Sequence, residues 1–239
     1  MNSADYIDAL RRDGDRIIDV ARAGLPRVVP SCAGWIIADL VWHVGVVHTF
    51  WRQVATGVVA GPENFGEPAR PGERDLVQWF ADGLEETAST LAGIDAESPA
   101  WTWGRRHNVG FIQRRVAHET SIHRWDAVGA LGLDEAIEPW LAADGVAEFL
   151  EEVLPGMSRD LEGPSQTIAL QCSDIDANWT VRAGGGACQL LTSSDDAQAR
   201  VRAAASDLAL LLWGRRRVEQ VRVDGEVQAV QRFLARASF

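Results

Sequence analysis

Apolar residues recur at helical spacing through the first two-thirds of the chain. From about residue 3 to 23, Ile7, Leu10, Ile17 and Val20 share one side of a 3.6-residue helix, and Gly24 and Pro26 end it. After the turn PSCAGW a second helix is predicted over about 36–56. The Pro/Gly-rich stretch GPENFGEPARPGER separates it from a third over about 73–93. A fourth runs over about 106–131 and a shorter fifth over about 139–153. Beyond Pro155 the pattern changes. TIALQC, NWTVRA and ACQLLTS read as strands between polar or Gly-rich turns, and an Ala/Leu-rich helix is expected over about 195–213. A short run, VRVDG, and a last helix over about 226–237 complete the chain. Helices first and strands mixed with helices afterwards give the fold class α plus α+β. A helical bundle, residues 1–157, is joined to a small α+β domain, residues 158–239.

Composition narrows the function. A chain of 239 residues with 46% hydrophobic and 24% charged residues can bury a core of its own. The net charge of −11 argues against nucleic acid as a partner, since phosphates need a basic surface. No run of about 18 apolar residues is present, and the polar start MNSADYIDALRRDGDRI lacks a signal-peptide core, so no membrane association is expected. Three widely spaced cysteines (Cys32, Cys172, Cys188), without CxxC, point to a reducing cytoplasm.

Candidate chemistry lies in two of the helices. In the second, Ile36, Leu40, Val47 and Phe50 form an apolar stripe with His43 at its centre and His48 at its edge. A buried imidazole needs a partner, and a hydrogen-bonded core histidine is the plainer reading of His43 alone. The fourth helix carries RRVAHETSIHRWDAVGALG, in which Glu119 and His123 stand four residues apart on one face. Ile112, Val116, Asp126 and Ala130 share that face, so the pair is expected to point inward. A Glu–His hydrogen bond or ion pair would explain it as well as metal ligation would. His118 and His123 are five apart and project to different sides, which excludes the HExxH arrangement of the zinc proteases. Together, His43, Glu119 and His123 make a three-ligand set for a divalent ion, with a fourth position left to water or substrate. Asp126 could steady a ligating imidazole, or could pair with an arginine.

The segments PSCAGWIIADLVWHVGVVHTFW and RRVAHETSIHRWDAVGALG resemble the N-terminal metal-binding domain of the mycothiol-dependent maleylpyruvate isomerase family. That family falls within the DinB-like superfamily of four-helix bundles. DLALLLWGRRRVEQVRVDGEVQAVQRFLA resembles the family's small α+β C-terminal domain. The resemblance implies a Zn2+ (or other divalent metal) site of His43, Glu119 and His123, with mycothiol as thiol cosubstrate. It also implies a C-terminal arginine at the active site, for which the WGR segment makes Arg215 the candidate. A helix-end cluster of solvated arginines is an equally good account of Arg215 to Arg217.

The expected function is a thiol transferase or isomerase acting on a small electrophile, because a coordinated thiol is deprotonated at neutral pH. Arginines would hold carboxylates of thiol or substrate, and the cleft between the domains is the expected substrate site. A hydrolase using zinc-bound water, or a non-catalytic metal-binding module, would use the same three ligands.

Overall fold

The computed structural model describes residues 2–156 and 163–237, and the contact pattern divides the chain into two units, Met1–Glu135 and Ala136–Phe239. In the first, four helices pack as a bundle: α1 (Ser3–Ala23), α2 (Ile37–Ala55), α3 (Glu73–Ala92) and α4 (Val109–Gly129). Three of them begin where a side chain supplies a start. Asn2 caps α1 and receives the Asp5 amide, with Asp5 reciprocating, and Asn108 accepts from the Phe111 amide at the head of α4. Asp39 accepts the Ile36 amide at the head of α2, at 3.1 Å. The inward faces bury Leu10, Ile17, Leu40, Leu76, Phe80 and Ile112 almost completely, each worth roughly 1.5–3 kcal/mol.

Helices α2 and α4 run antiparallel. His43 meets His123 at one level, with ring centres 5.0 Å apart, while Trp51 meets Phe111 two turns further along, at 6.1 Å. Gly45 permits the approach of α3: a Cβ there would lie 2.3 Å from the Trp79 ring, which itself leans on Trp42. Between α1 and α2 the segment 28–36 folds back on itself. Val29 donates to the Trp35 carbonyl, Trp35 to that of Cys32, and Gly34 takes the left-handed conformation (φ +82) that this reversal needs.

The second unit starts with α5 (Pro139–Glu148), which continues through a π turn, Phe149–Val153, into α6 (Leu154–Gly156). A five-stranded mixed sheet follows, in the order β3-β2-β1-β4-β5, from β1 (Gln166–Cys172), β2 (Asn178–Gly184), β3 (Ala187–Leu191), β4 (Ala199–Ala203) and β5 (Arg222–Gly225). Among the described residues, β1 and β4 form the one parallel pair of the sheet. Helix α7 (Ala205–Leu212) packs on α5, β1 and β4, and α8 (Val227–Arg236) on β1 and β4. Among the described residues, no helix is long and apolar enough to cross a membrane.

The boundary placed at 157/158 lies outside the described residues; contacts group the chain into units that divide at 135/136, with α5 packed against α7. One expectation changes. The single helix expected over 195–213 is instead strand β4 followed by α7. Ala199 and Val201 are buried, Arg200 and Arg202 exposed, and β1 and β5 pair with the strand on either side. Alanine's helix preference, at most about 0.7 kcal/mol per residue over ordinary residues, loses to two ladders of hydrogen bonds.

One buried ionic cluster ties α4 to α1. Asp13, almost wholly buried, takes both the Nε and Nη2 of Arg12, and lies 3.7 Å from Nε of the buried Arg124. Arg124 also donates to the Glu135 carbonyl at 2.7 Å. Asp13→Ala leaves the Arg124 charge short of its carboxylate and should cost about 3–5 kcal/mol in urea denaturation. Arg11→Ala, which removes the exposed pair Arg11–Glu85, should cost under about 1 kcal/mol.

Candidate metal centre

Helices α2 and α4 bring the three residues singled out by spacing to one point. Glu119 Oε1 lies 3.3 Å from His43 Nε2 and 3.3 Å from His123 Nε2. Donor atoms of the three side chains all fall within 4.8 Å of one another, a grouping able to hold a metal ion. His123 is nearly buried, Glu119 mostly so, and His43 keeps 38% of its side chain exposed. The site therefore opens on the His43 side instead of lying deep in the core, as the apolar stripe suggested. An incoming small molecule would reach it from that side.

Two of the three ligand candidates, Glu119 and His123, are held from behind. Arg115, one turn before Glu119 on α4 and nearly buried, donates from Nη2 to Glu119 Oε2 at 3.0 Å. Across the His123 ring from Glu119, Nδ1 lies 3.0 Å from Asp126 Oδ2, an ion-pair contact outside hydrogen-bond alignment. Asp126, fully buried, accepts from Ser31 Oγ at 2.5 Å and from Cys32 Sγ at 3.6 Å. Trp35 completes the wall, parallel to His123 (centroids 6.1 Å, 16°) and tilted against His43 at 5.0 Å. Cys32, His123 and Asp126 form a second grouping of possible ligands. It uses the opposite face of the same imidazole, and its carboxylate is already engaged by Ser31, so it serves better as a support for His123.

The electrostatics follow from burial. Desolvation pushes Glu119 towards its neutral form, but His123, His43 and Arg115 outweigh it and hold the carboxyl well below its usual range. Burial likewise opposes charge on His123, and Asp126, Cys32 and Glu119 reverse that, raising it well above an ordinary histidine. Two anions around one imidazole make a place where positive charge is favoured. A divalent cation meets that demand as a proton does.

The other histidines behave differently. His48 is buried, stacked near Phe80, with Nε2 at 2.9 Å from Thr120 Oγ1. Because Thr120 donates its hydroxyl to the Val116 carbonyl, His48 must be the donor, which fixes the neutral Nε2–H tautomer. His118 is buried edge-on to Tyr6, at 6.1 Å. Neither joins the cluster. Arg215, in the second unit, donates from Nη1 to the Trp213 carbonyl at 2.8 Å, and its neighbour Arg216 pairs with Asp207. The sequence reading missed Arg115, Ser31 and Trp35. Arg115 was within reach of it, since i, i+4 spacing puts it on the Glu119 face. Ser31 and Trp35 were not, because only the folded turn 28–36 carries them to α4.

Comparison with known proteins identifies the family. Residues 7–128 match the mycothiol maleylpyruvate isomerase N-terminal domain and residues 141–232 the C-terminal domain of the same family. The chain belongs to the mycothiol-dependent maleylpyruvate isomerase family. The fold resembles the crystal structure of the mycothiol-dependent maleylpyruvate isomerase, with a TM-score of 0.65 at 13% identity over 95% of each chain. A histidine-to-alanine mutant of that enzyme matches with a TM-score of 0.64, again at 13% identity over 95% of each chain. No curated protein matches the sequence.

Burial lowers His48 to about 3. The unfolded chain therefore takes up a proton that the folded one refuses, and this contribution to stability, complete above pH 6.5, is lost as pH falls from there towards 3. His48→Gln keeps a donor to Thr120 without the titration. Thermal melts of the chelated protein between pH 7 and 5 should show a shallower decline for this variant than for the wild type. Parallel curves would contradict a buried neutral His48.

Proposed function

We propose that this protein is a mycothiol-dependent transferase or cis–trans isomerase that works on a small electrophile at a divalent metal, zinc in the first instance. His43, Glu119 and His123 are the proposed ligands. The observation that carries the reading is one carboxylate oxygen equidistant from two imidazole nitrogens, at the open edge of a buried charge cluster. A divalent cation bound there supplies Lewis acidity that keeps a coordinated thiol deprotonated at neutral pH.

The protein's own groups account for the rest. Glu119 and the two imidazoles form a donor set of one negative charge, which leaves a divalent centre positive enough to attract an anionic sulfur. Trp35 walls one side of the two histidine rings. The exposed side of His43 admits thiol and electrophile together. A thiolate that adds to a cis double bond lets the former double bond rotate, and its departure restores the alkene in the trans form with the thiol unchanged. Attack on a carbon that carries a leaving group gives a transferase instead. Arg215 is the proposed receptor for a carboxylate, its guanidinium steadied by the Trp213 carbonyl. With no disulfide among the described residues, a reducing cytoplasm is the proposed setting.

Elemental analysis of the purified protein should find about one metal ion per chain. His43→Ala and His123→Ala should each lose most of it, while His48→Gln should retain it. Asp126→Asn should weaken binding by roughly 10–100-fold. With mycothiol present, maleylpyruvate is the first electrophile to try, followed by a panel of activated alkenes and halides. Turnover that survives both chelation and omission of thiol would refute the reading, and metal-dependent hydrolysis without thiol would replace it with a hydrolase.

A further inference from the structure

We propose that Arg115 is a positioning residue that confines Glu119 to a single coordinating oxygen and so keeps a place open for the incoming thiol. This rests on the ligand set proposed above. The two oxygens of Glu119 are in different company. Oε2 receives the Arg115 guanidinium at 3.0 Å, while Oε1 faces His43 Nε2 and His123 Nε2, each at 3.3 Å. Arg115 and Glu119 are one turn apart on the same rigid helix, so the pairing needs no loop to hold it.

Two physical consequences follow. A carboxylate can ligate through one oxygen or two, and the choice depends on rotation about its last bond. A guanidinium fixed on Oε2 holds that rotation and occupies the oxygen that would otherwise swing towards the cation. The Arg115 side chain is only 5% exposed, so water offers its charge no ready alternative to the contact with Glu119. The same fixed positive charge draws electron density from the carboxylate. Glu119 then donates less to a bound cation, which stays more acidic towards sulfur. Were Arg115 only a buried ion pair bracing α4, its loss would change stability and leave coordination alone.

Cobalt(II) distinguishes these roles, because its visible bands are strong in four-coordinate sites and weak in higher coordination, and thiolate ligation adds a charge-transfer band. The wild type, Arg115→Gln, Arg115→Lys and the surface control Arg11→Gln are stripped of metal and loaded with cobalt(II). Each is then titrated with 2-mercaptoethanol as probe thiol. In Arg115→Gln the visible bands should weaken as Glu119 takes a second position, and the thiol should bind about 10–100-fold more weakly. Arg115→Lys, with a point charge but no planar fork, should fall between, and the control should match the wild type. A folded Arg115→Gln with wild-type bands and wild-type thiol affinity overturns the proposal while leaving the metal site standing. If that variant does not fold, Arg115→Lys decides: weaker thiol binding supports the role, and wild-type behaviour overturns it. Failure of the wild type itself to take up cobalt(II) removes the ligand set and this inference with it.

Discussion

A carboxylate buried in a helical bundle has to be answered by positive charge or hydrogen-bond donors, and Glu119 is met from three directions. Arg115 holds one oxygen; His43 and His123 share the other. Left unanswered, such a charge would shift to its neutral form or unfold the bundle. Surrounded as it is, it stays ionised and becomes the negative centre on which a cation can be assembled.

His123 is the second element of the design. Its two ring nitrogens face two different carboxylates, Glu119 on the ligand side and Asp126 behind. Asp126 in turn is engaged by Ser31 and Cys32 from the turn before α2, so the ring is backed by a part of the chain more than 90 residues away. The same turn delivers Trp35 alongside both imidazoles, parallel to His123 and tilted against His43. A short reversal of the backbone, made possible at Gly34, thus supplies the back and one wall of the site. Rigid support of this kind limits how far a ligand can drift, which matters where a small displacement weakens a coordinated group.

The second unit is built on a different principle. Its parallel pair β1 and β4 sits at the centre of the sheet, and β1 is buried over nearly its whole length. Helices α7 and α8 cover these two strands, and the arginine run 215–217 leaves the end of α7 with Arg215 and Arg216 tied to groups on their own unit. Family membership extends across both units, and at 13% identity the likeness to a solved relative is one of fold. Chemistry is set by side chains, and those of the candidate metal centre all belong to the bundle.

By itself the sequence determined the four bundle helices and the helical faces of His43, Glu119 and His123, because a helix fixes direction at every step of 100°. It also separated His48 and His118 from the cluster, since their offsets turn them to other faces. Tertiary structure decided what periodicity cannot express. Residues 199–203 are strand because two neighbouring strands take up their backbone, against the helix preference of their alanines. Helix 139–148 joins the second unit because its packing partner, α7, is more than 50 residues away. Ser31, Cys32 and Trp35 gain their roles only when the turn 28–36 closes. A local pattern records which face of its own element a residue occupies, and the identity of what stands opposite is settled only when distant segments meet.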